Sequence, residues 1–231
     1  RAYDNVVHDV ATQKLKVIFC LDRAGIVGED GATHHGVFDL AYMRCIPNLS
    51  IFSPLNEVEL KDILYSVQFP DYGATVIRYP RGYGEGLEWR GNYKMIEPGK
   101  AQLISDGDDI AVLSIGPAGN NVIKAVEMAK AVGVNVMHYN MRFVKPIDTE
   151  AIDFAAEKCR SIITVEDGSV SGGLFSAVSE YLASKAINVK VVGLGVPDKF
   201  IEQGTVEELM SECGYDLNGI YNTIINVSRE K

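Results

Sequence analysis

Short apolar runs rich in valine and isoleucine recur along the chain, and segments with helical periodicity lie between them. The runs are continuous rather than alternating, which is typical of parallel strands that are buried on both faces. They predict seven strands, at 16–21, 49–52, 75–79, 110–115, 134–139, 161–165 and 189–194. The alternation of strands and helices predicts an α/β fold built on parallel sheet.

The clearest helical pattern lies at 56–67, where apolar residues recur at i, i+3, i+4 and i+7. Asn56 can cap this helix, with Glu59 at the third helical position. Three more helices are predicted: at 118–132, after Asp148, and from Thr205, where a capping-box pattern ends at Glu208.

A domain boundary is predicted between Arg81 and Asp109, where loop and turn signals cluster. Three predicted strands precede this region and four follow it. We therefore assign residues 1–96 to the carboxyl-terminal half of a parallel-sheet domain whose beginning is missing. Residues 97–231 are assigned to a second, complete α/β domain. The chain begins with Arg1 rather than methionine, and we expect it to be a fragment of a longer protein.

The composition is that of an ordinary globular protein, with 231 residues of which 47% are hydrophobic and 23% charged. A net charge of −9 disfavours nonspecific binding to nucleic acid. No apolar run approaches the roughly 20 residues that span a bilayer, and no signal-peptide pattern is present. The four cysteines lie far apart without metal-type spacing. We therefore expect reduced thiols in a cytoplasmic protein without nucleic-acid or membrane partners.

A glycine-rich polar loop at 22–36 follows the first predicted strand and carries most of the candidate chemistry. In α/β folds such a loop presents reactive groups at the carboxyl end of the sheet. If a helix starts near Thr33, Asp30 lies just ahead of it and His34 lies in its first turn. An imidazole there could donate to a substrate carbonyl, or to the oxyanion formed when that carbonyl is attacked. The alternative is that His34 or His35 only caps a helix or fills a gap, but a tandem pair in such a loop favours a functional role.

Arginines form the second group of candidates. Arg23 follows the strand at 16–21, and Arg78 and Arg81 lie at the end of the strand at 75–79. If these strands are parallel, their ends meet at one edge of the sheet, where guanidinium groups suit a phosphate or a carboxylate. The alternative is that each arginine pairs with a local acid on the surface. His8 and His138 have no nearby partners in the sequence, and we interpret both as structural.

Several longer strings resemble the 1-deoxy-D-xylulose-5-phosphate synthase family of transketolase-like enzymes. The resemblance to its pyrimidine-binding domain is carried by RAYDNVVHD (1–9), DRAGIVGEDGATHHGVFDLAYMRCIPNLSIFSP (22–54) and IRYPRG (77–82). The resemblance to its transketolase-type carboxyl-terminal domain is carried by MRFVKPID (141–148), VEDGSVSGG (165–173) and GVPDKFIEQGT (195–205).

The resemblance implies a thiamine diphosphate enzyme that joins pyruvate to glyceraldehyde 3-phosphate with loss of carbon dioxide, in the synthesis of isoprenoid precursors, thiamine and pyridoxal. It implies that His34 is the active-site histidine and that Asp30 helps to bind the acceptor hydroxyls. Arg23 and Arg81, with Arg1, would hold the acceptor phosphate. The main ligands of the cofactor and of its Mg²⁺ would lie upstream of residue 1, so no metal ligand is assigned in this chain. The missing amino-terminal part is an expected partner, and the resemblance implies a homodimer.

Two alternatives stay open. The first is a transketolase-type ketol transferase that uses another donor. The second is a non-catalytic α/β module that binds an anion or mediates dimerisation.

Overall fold

Two β-sheets and the helices around them make up residues 2–230, the part of the chain that this computed structural model describes. The earlier part contains, in order, α1 (Ala2–Asn5), a π-helical segment (Val6–Ala11), β1 (Ile18–Leu21), α2 (Asp39–Arg44), β2 (Leu49–Phe52), α3 (Glu57–Ser66) and β3 (Ala74–Arg78). The later part contains β4 (Gln102–Ser105), β5 (Ile110–Ser114), α4 (Ala118–Ala131), β6 (Val136–Asn140), β7 (Phe143–Lys145), α5 (Thr149–Lys158), β8 (Ser161–Ser169), α6 (Leu174–Ser184), β9 (Lys190–Val196), α7 (Val206–Glu212) and α8 (Leu217–Arg229).

The first sheet has four strands in the order β1-β3-β2-β7. Strands β1, β3 and β2 are parallel, and Leu21 at the end of β1 is in register with Arg78 at the end of β3. Strand β7 is antiparallel to β2 and pairs Phe143 with Phe52. A strand from the later part of the chain thus completes the sheet of the earlier part. The division of the chain between residues 96 and 97 stays a prediction.

The second sheet has five strands in the order β4-β6-β5-β8-β9, and only β4 is antiparallel to its neighbour. All seven predicted strands are present, and the predicted α/β class with parallel sheets is confirmed. The sequence pattern does not reveal β4 and β7, because these edge strands have only 4 and 3 residues and carry no long apolar run.

Helix α3 begins as predicted after Asn56, whose Oδ1 accepts hydrogen bonds of 3.1 Å from the amides of Val58 and Glu59. Glu59 does not return to the backbone of Asn56. Its Oε2 instead accepts from the Leu55 amide at 2.8 Å, and its Oε1 accepts from Arg142 Nε at 2.7 Å. Glu59 therefore ties the start of α3 to the link between β6 and β7.

The other predicted helices are confirmed as α4, α5 and α7. Asp148 caps α5 by accepting from the amides of Glu150 and Ala151. Thr205 and Glu208 form the complete capping box at the start of α7.

One apolar core joins the two sheets. Leu40 and Val76 from the earlier part of the chain pack in the same buried cluster as Leu113 and Ile162 from the later part. Because both sheets contribute to this cluster, burial of apolar surface holds them against each other.

All four cysteines are free thiols, of which Cys20 and Cys45 are exposed. Within residues 2–230, no helix combines the length and the apolar character needed to cross a membrane.

Candidate active site at the carboxyl edge of the first sheet

The segments that follow β1 and β3 leave the first sheet at the same edge, because these two strands are parallel neighbours. Beyond the strands, the Ala24 amide donates to the Tyr79 carbonyl at 3.0 Å. This contact brings the glycine-rich loop 22–36 beside the segment that carries Arg81. The predicted meeting of the two strand ends is therefore confirmed.

The base of this loop is closed by Gly25 and Gly36, which exchange two backbone hydrogen bonds of 2.9 Å. Gly25 has a φ of +74°. A Cβ at that position would meet Asp167 Oδ2 at 2.8 Å. Both the left-handed backbone and the close approach therefore require glycine at position 25.

No helix starts near Thr33, so the condition considered for Asp30 and His34 is not met. Residues 32–34 form a turn in which the His34 amide donates to the Gly31 carbonyl at 3.0 Å, and the next helix, α2, begins only at Asp39. The physical reason is that Gly31 has a φ of +71° and that Gly36 pairs back with Gly25, which bends the chain away from a helical path.

Asp30 and Arg81 come together at this edge. Arg81 Nη1 donates to Asp30 Oδ2 at 2.6 Å, and the two side chains are 57% and 41% exposed. Within residues 2–230, the remaining nitrogens of Arg81 make no other hydrogen bond. The guanidinium is thus oriented by one carboxylate and keeps donors for a ligand.

The tandem histidines occupy different surroundings. His34 is exposed, and its Nδ1 lies 3.0 Å from the Thr33 hydroxyl. His35 is buried, with Nδ1 accepting from the Val27 amide at 3.1 Å and Nε2 lying 3.4 Å from the Glu202 carbonyl. Because an amide donates to Nδ1 of His35, the neutral ring carries its proton on Nε2.

Arg23 does not contact the Asp30–Arg81 pair. Its φ is +58°, and its half-exposed side chain bonds Asp22 at 3.1 Å. No contact joins Arg23 to Arg81 or Asp30 within the described residues. Arg1 lies outside the described residues.

Arg78 is not part of an anion site, contrary to the expectation from its place at the strand end. It is fully buried and bonds Asp39 at 2.8 Å and Asp167 at 2.5 Å. Burial lowers the pKa of Arg78, but the carboxylates of Asp167 and Asp39 outweigh burial and raise it above its ordinary value. The guanidinium is charged and already satisfied.

Sequence reasoning missed the acidic residues of β8 that approach this edge. Asp167 reaches from the second sheet to Arg78. Beside it, Glu166 accepts hydrogen bonds of 2.8 and 2.9 Å from the amides of Leu174 and Phe175 at the start of α6. Burial raises the pKa of Glu166 to about 8, although those amides oppose the shift. The only signal in the sequence is the pair of acids at the end of an apolar strand.

A cavity of about 290 Å³ lies beside this edge and is lined by residues that include Asn56, Glu57, Tyr79 and Tyr83. Neither His34 nor Asp30 lines it. Within residues 2–230, no group of three or more His, Cys, Asp or Glu side chains is arranged to hold a metal ion.

Known protein families account for nearly the whole chain. The family model described as "Transketolase, pyrimidine binding domain" matches residues 1–85, and "Transketolase, C-terminal domain" matches residues 99–220. The chain belongs to the transketolase family.

Curated relatives within this family refine the assignment. The chain is 50% identical over 225 residues to a 1-deoxy-D-xylulose-5-phosphate synthase of Bacteroides fragilis, covering 97% of the chain and 35% of the relative. It is 54% identical over 220 residues to the enzyme of that name from Parabacteroides distasonis, covering 95% of the chain and 35% of the relative. The resemblance inferred from the sequence is therefore confirmed. The chain spans about a third of the length of these relatives.

Solved structures show the same transketolase architecture. A split-gene transketolase in its inactive beta4 tetramer matches with a TM-score of 0.84 and 27% identity, over 99% of this chain and 71% of that one. A transketolase from Campylobacter jejuni matches in fold alone, with a TM-score of 0.68 and 19% identity, over 90% of this chain and 31% of that one.

Proposed function

We propose that this chain is the carboxyl-terminal part of a 1-deoxy-D-xylulose-5-phosphate synthase, which condenses pyruvate with glyceraldehyde 3-phosphate with loss of carbon dioxide. The observation that carries the proposal is the contact between Asp30 and Arg81 at the carboxyl edge of the first sheet. These two residues are far apart in the sequence, and the family resemblance gives both of them to the acceptor substrate. The identity of about half to the two synthases supports the same assignment.

Arg81 binds the acceptor phosphate on this proposal. One guanidinium nitrogen is held by Asp30, and the half-exposed side chain keeps further N–H donors for phosphate oxygens. Charge-assisted bonds from a planar guanidinium are well suited to that group. Arg23, which follows the neighbouring strand β1, adds a second positive charge at the same edge. The resemblance assigns Arg1, which lies outside the described residues, to the same phosphate.

Asp30 and His34 act on the oxygen atoms of the substrates. Asp30 accepts from the acceptor hydroxyls while it orients Arg81. The Thr33 hydroxyl lies 3.0 Å from Nδ1 of His34, and when it donates there the ring proton is on Nε2. Nε2 then donates a hydrogen bond to the oxygen that gains charge during the reaction.

Thiamine diphosphate, when bound, supplies the carbanion chemistry that the decarboxylation and the new carbon–carbon bond require. We propose that its diphosphate and Mg²⁺ bind mainly to segments outside these 231 residues, and that this chain contributes acceptor binding and charge stabilisation. We also propose a cytoplasmic homodimer that supplies isoprenoid, thiamine and pyridoxal synthesis, with the amino-terminal part of the enzyme as a required partner.

The test is to combine this chain with the amino-terminal part of the enzyme and to measure carbon dioxide release from pyruvate. We expect release that depends on glyceraldehyde 3-phosphate, and no deoxyxylulose phosphate from the 231-residue chain alone. Turnover by the chain alone would contradict the proposal that the cofactor and Mg²⁺ bind mainly to segments outside these residues.

A ketol transferase is the second candidate, because the matching solved structures are transketolases. It predicts turnover with a ketose phosphate as donor and none with pyruvate. Absence of both activities, with phosphate still bound, would favour a non-catalytic module.

A further inference from the structure

Arg78 makes four polar contacts, although no part of it is exposed. Its Nε donates to Asp39 at 2.8 Å. Its Nη1 donates to Asp167 at 2.5 Å and to Ser53 at 3.2 Å, and its Nη2 lies 3.3 Å from the Gly36 carbonyl. One buried guanidinium at the end of β3 thus joins the loop 22–36, helix α2 and the residue after β2 to strand β8 of the second sheet.

Arg78 and its partner Asp167 both approach the base of loop 22–36. Arg78 reaches the carbonyl of Gly36, and the carboxylate of Asp167 lies against Gly25, where a Cβ would come within 2.8 Å. Gly25 and Gly36 are the residues that close the loop by pairing with each other. The two residues that close the loop therefore lie against the Arg78–Asp167 ion pair, Gly36 against Arg78 and Gly25 against Asp167.

We infer that Arg78 and Asp167 are positioning residues, which fix the base of loop 22–36 against the second sheet and so set the placement of Asp30 and His34. The kinetic consequence rests on the proposed function, whereas the placement of the loop does not. Neither residue is assigned contact with a substrate.

The chain offers a matched control in Arg142 and Glu59. This ion pair is also largely buried: it joins α3 to the link between β6 and β7 at 2.7 Å, and its side chains are 19% and 9% exposed. It holds the start of α3 through Leu55 rather than loop 22–36. Loss of either ion pair removes a largely buried contact, but only loss of the Arg78–Asp167 pair is expected to free the loop.

The experiment compares Arg78→Lys and Asp167→Asn with Arg142→Lys in the complete protein. Lysine keeps the charge of Arg78 but cannot bond both carboxylates and Gly36 together, since it lacks the guanidinium fork. Asp167→Asn keeps the shape of the side chain and removes its charge. Hydrogen–deuterium exchange is followed in peptides that cover the amides of Ala24, Gly25 and Gly36, each of which donates a backbone hydrogen bond.

We expect both loop variants to accelerate exchange at these amides about tenfold or more, since their bonds depend on the anchored loop base, and Arg142→Lys to leave it unchanged. Equal acceleration in all three variants, or none in the loop variants, would overturn the inference. If Arg78→Lys does not fold, Asp167→Asn carries the test. Failure of both to fold, with Arg142→Lys folded, would show a purely structural role and would also overturn it.

Kinetics then separate this inference from the proposed function. A displaced catalytic group typically costs about 100-fold in rate, so kcat is expected to fall by about that factor in the loop variants, with a smaller change in KM. Normal kcat beside accelerated exchange would contradict the link to Asp30 and His34. A wild-type protein without synthase activity, in which the exchange pattern still holds, would refute the proposed function and leave the positioning role standing.

Discussion

Arg81 Nη1 donates a 2.6 Å hydrogen bond to Asp30 Oδ2 and so joins the segments that follow β3 and β1. Both side chains are about half exposed. Ion pairs of this kind contribute about 0–1 kcal/mol to folding. The consequence of the contact is therefore orientation: Asp30 holds the guanidinium in one direction before a ligand arrives.

Replacing Arg81 with alanine is expected to weaken the binding of the acceptor, glyceraldehyde 3-phosphate, more than the binding of pyruvate. A hydrogen bond to a charged group typically contributes about 1.5–3 kcal/mol, which corresponds to a rise of about 10- to 150-fold in the KM for glyceraldehyde 3-phosphate. Steady-state kinetics in both substrates check this. Arg90→Ala is the control, because Arg90 lies on the same exposed segment and stacks over Trp89. An equal rise in both KM values would indicate general damage instead.

Separate losses of activity and of stability are expected for the two histidines. In the complete enzyme, His34→Ala is expected to reduce kcat by about 100- to 1000-fold, the typical effect of losing a donor to a developing oxyanion. His35→Ala is expected to cost much less turnover. It leaves the Val27 amide without its 3.1 Å acceptor, which lowers the free energy of unfolding by about 1–3 kcal/mol.

Kinetics and urea unfolding, measured in parallel on His34→Ala and His35→Ala, test these two roles. A larger loss of kcat from His35→Ala, or a large loss of stability from His34→Ala, would show that the roles are reversed.

The parallel sheets could be predicted from the sequence because strands such as β5 are continuous apolar runs. Such runs are typical of parallel strands that are buried on both faces. The meeting of the segments that follow β1 and β3 came from the same argument, since it needs only two parallel strands that end together. The contact between Asp30 and Arg81 was not predicted. Local patterns also gave the caps of Asn56 and Thr205, whose partners lie within three residues.

The role of Arg78 could not be predicted, because its partners Asp39 and Asp167 lie 39 and 89 residues away in the chain. A guanidinium at a strand end has the same sequence pattern whether it faces a ligand or a buried carboxylate. The path of the chain near Thr33 could not be predicted for a different reason. Glycines with positive φ bend the loop, and the residue that leaves no room for a Cβ at Gly25 is Asp167, which is distant in the sequence.

Gly25→Ala is expected to destabilise the protein more than Gly133→Ala. Both glycines have positive φ, +74° and +86°, so both variants carry the cost of about 1–2 kcal/mol for a left-handed alanine. A Cβ at Gly133 meets nothing within 4 Å, whereas at Gly25 it meets Asp167 Oδ2 at 2.8 Å. Urea unfolding of the pair isolates the contact with Asp167. Equal losses of unfolding free energy in the two variants would show that Asp167 moves aside for the new Cβ without a loss of stability.

His138 is expected to make the protein sensitive to acid. It is fully buried in β6, its Nε2 lies 2.8 Å from Ser114 Oγ, and its Nδ1 has no partner within the described residues. Burial lowers the pKa of His138 to about 3, against about 6.5 in an unfolded chain. Below pH 6.5 the unfolded state therefore binds a proton that the folded state excludes. The stabilisation is complete above pH 6.5 and is lost as the pH falls towards 3, by up to about 1.4 kcal/mol per pH unit.

Urea unfolding at pH 7, 5.5 and 4.5 is expected to show a steeper loss of unfolding free energy in the wild type than in His138→Gln. The control His8→Gln replaces an exposed histidine and is expected to follow the wild type. A His138→Gln variant as acid-sensitive as the wild type would show that other groups set this dependence.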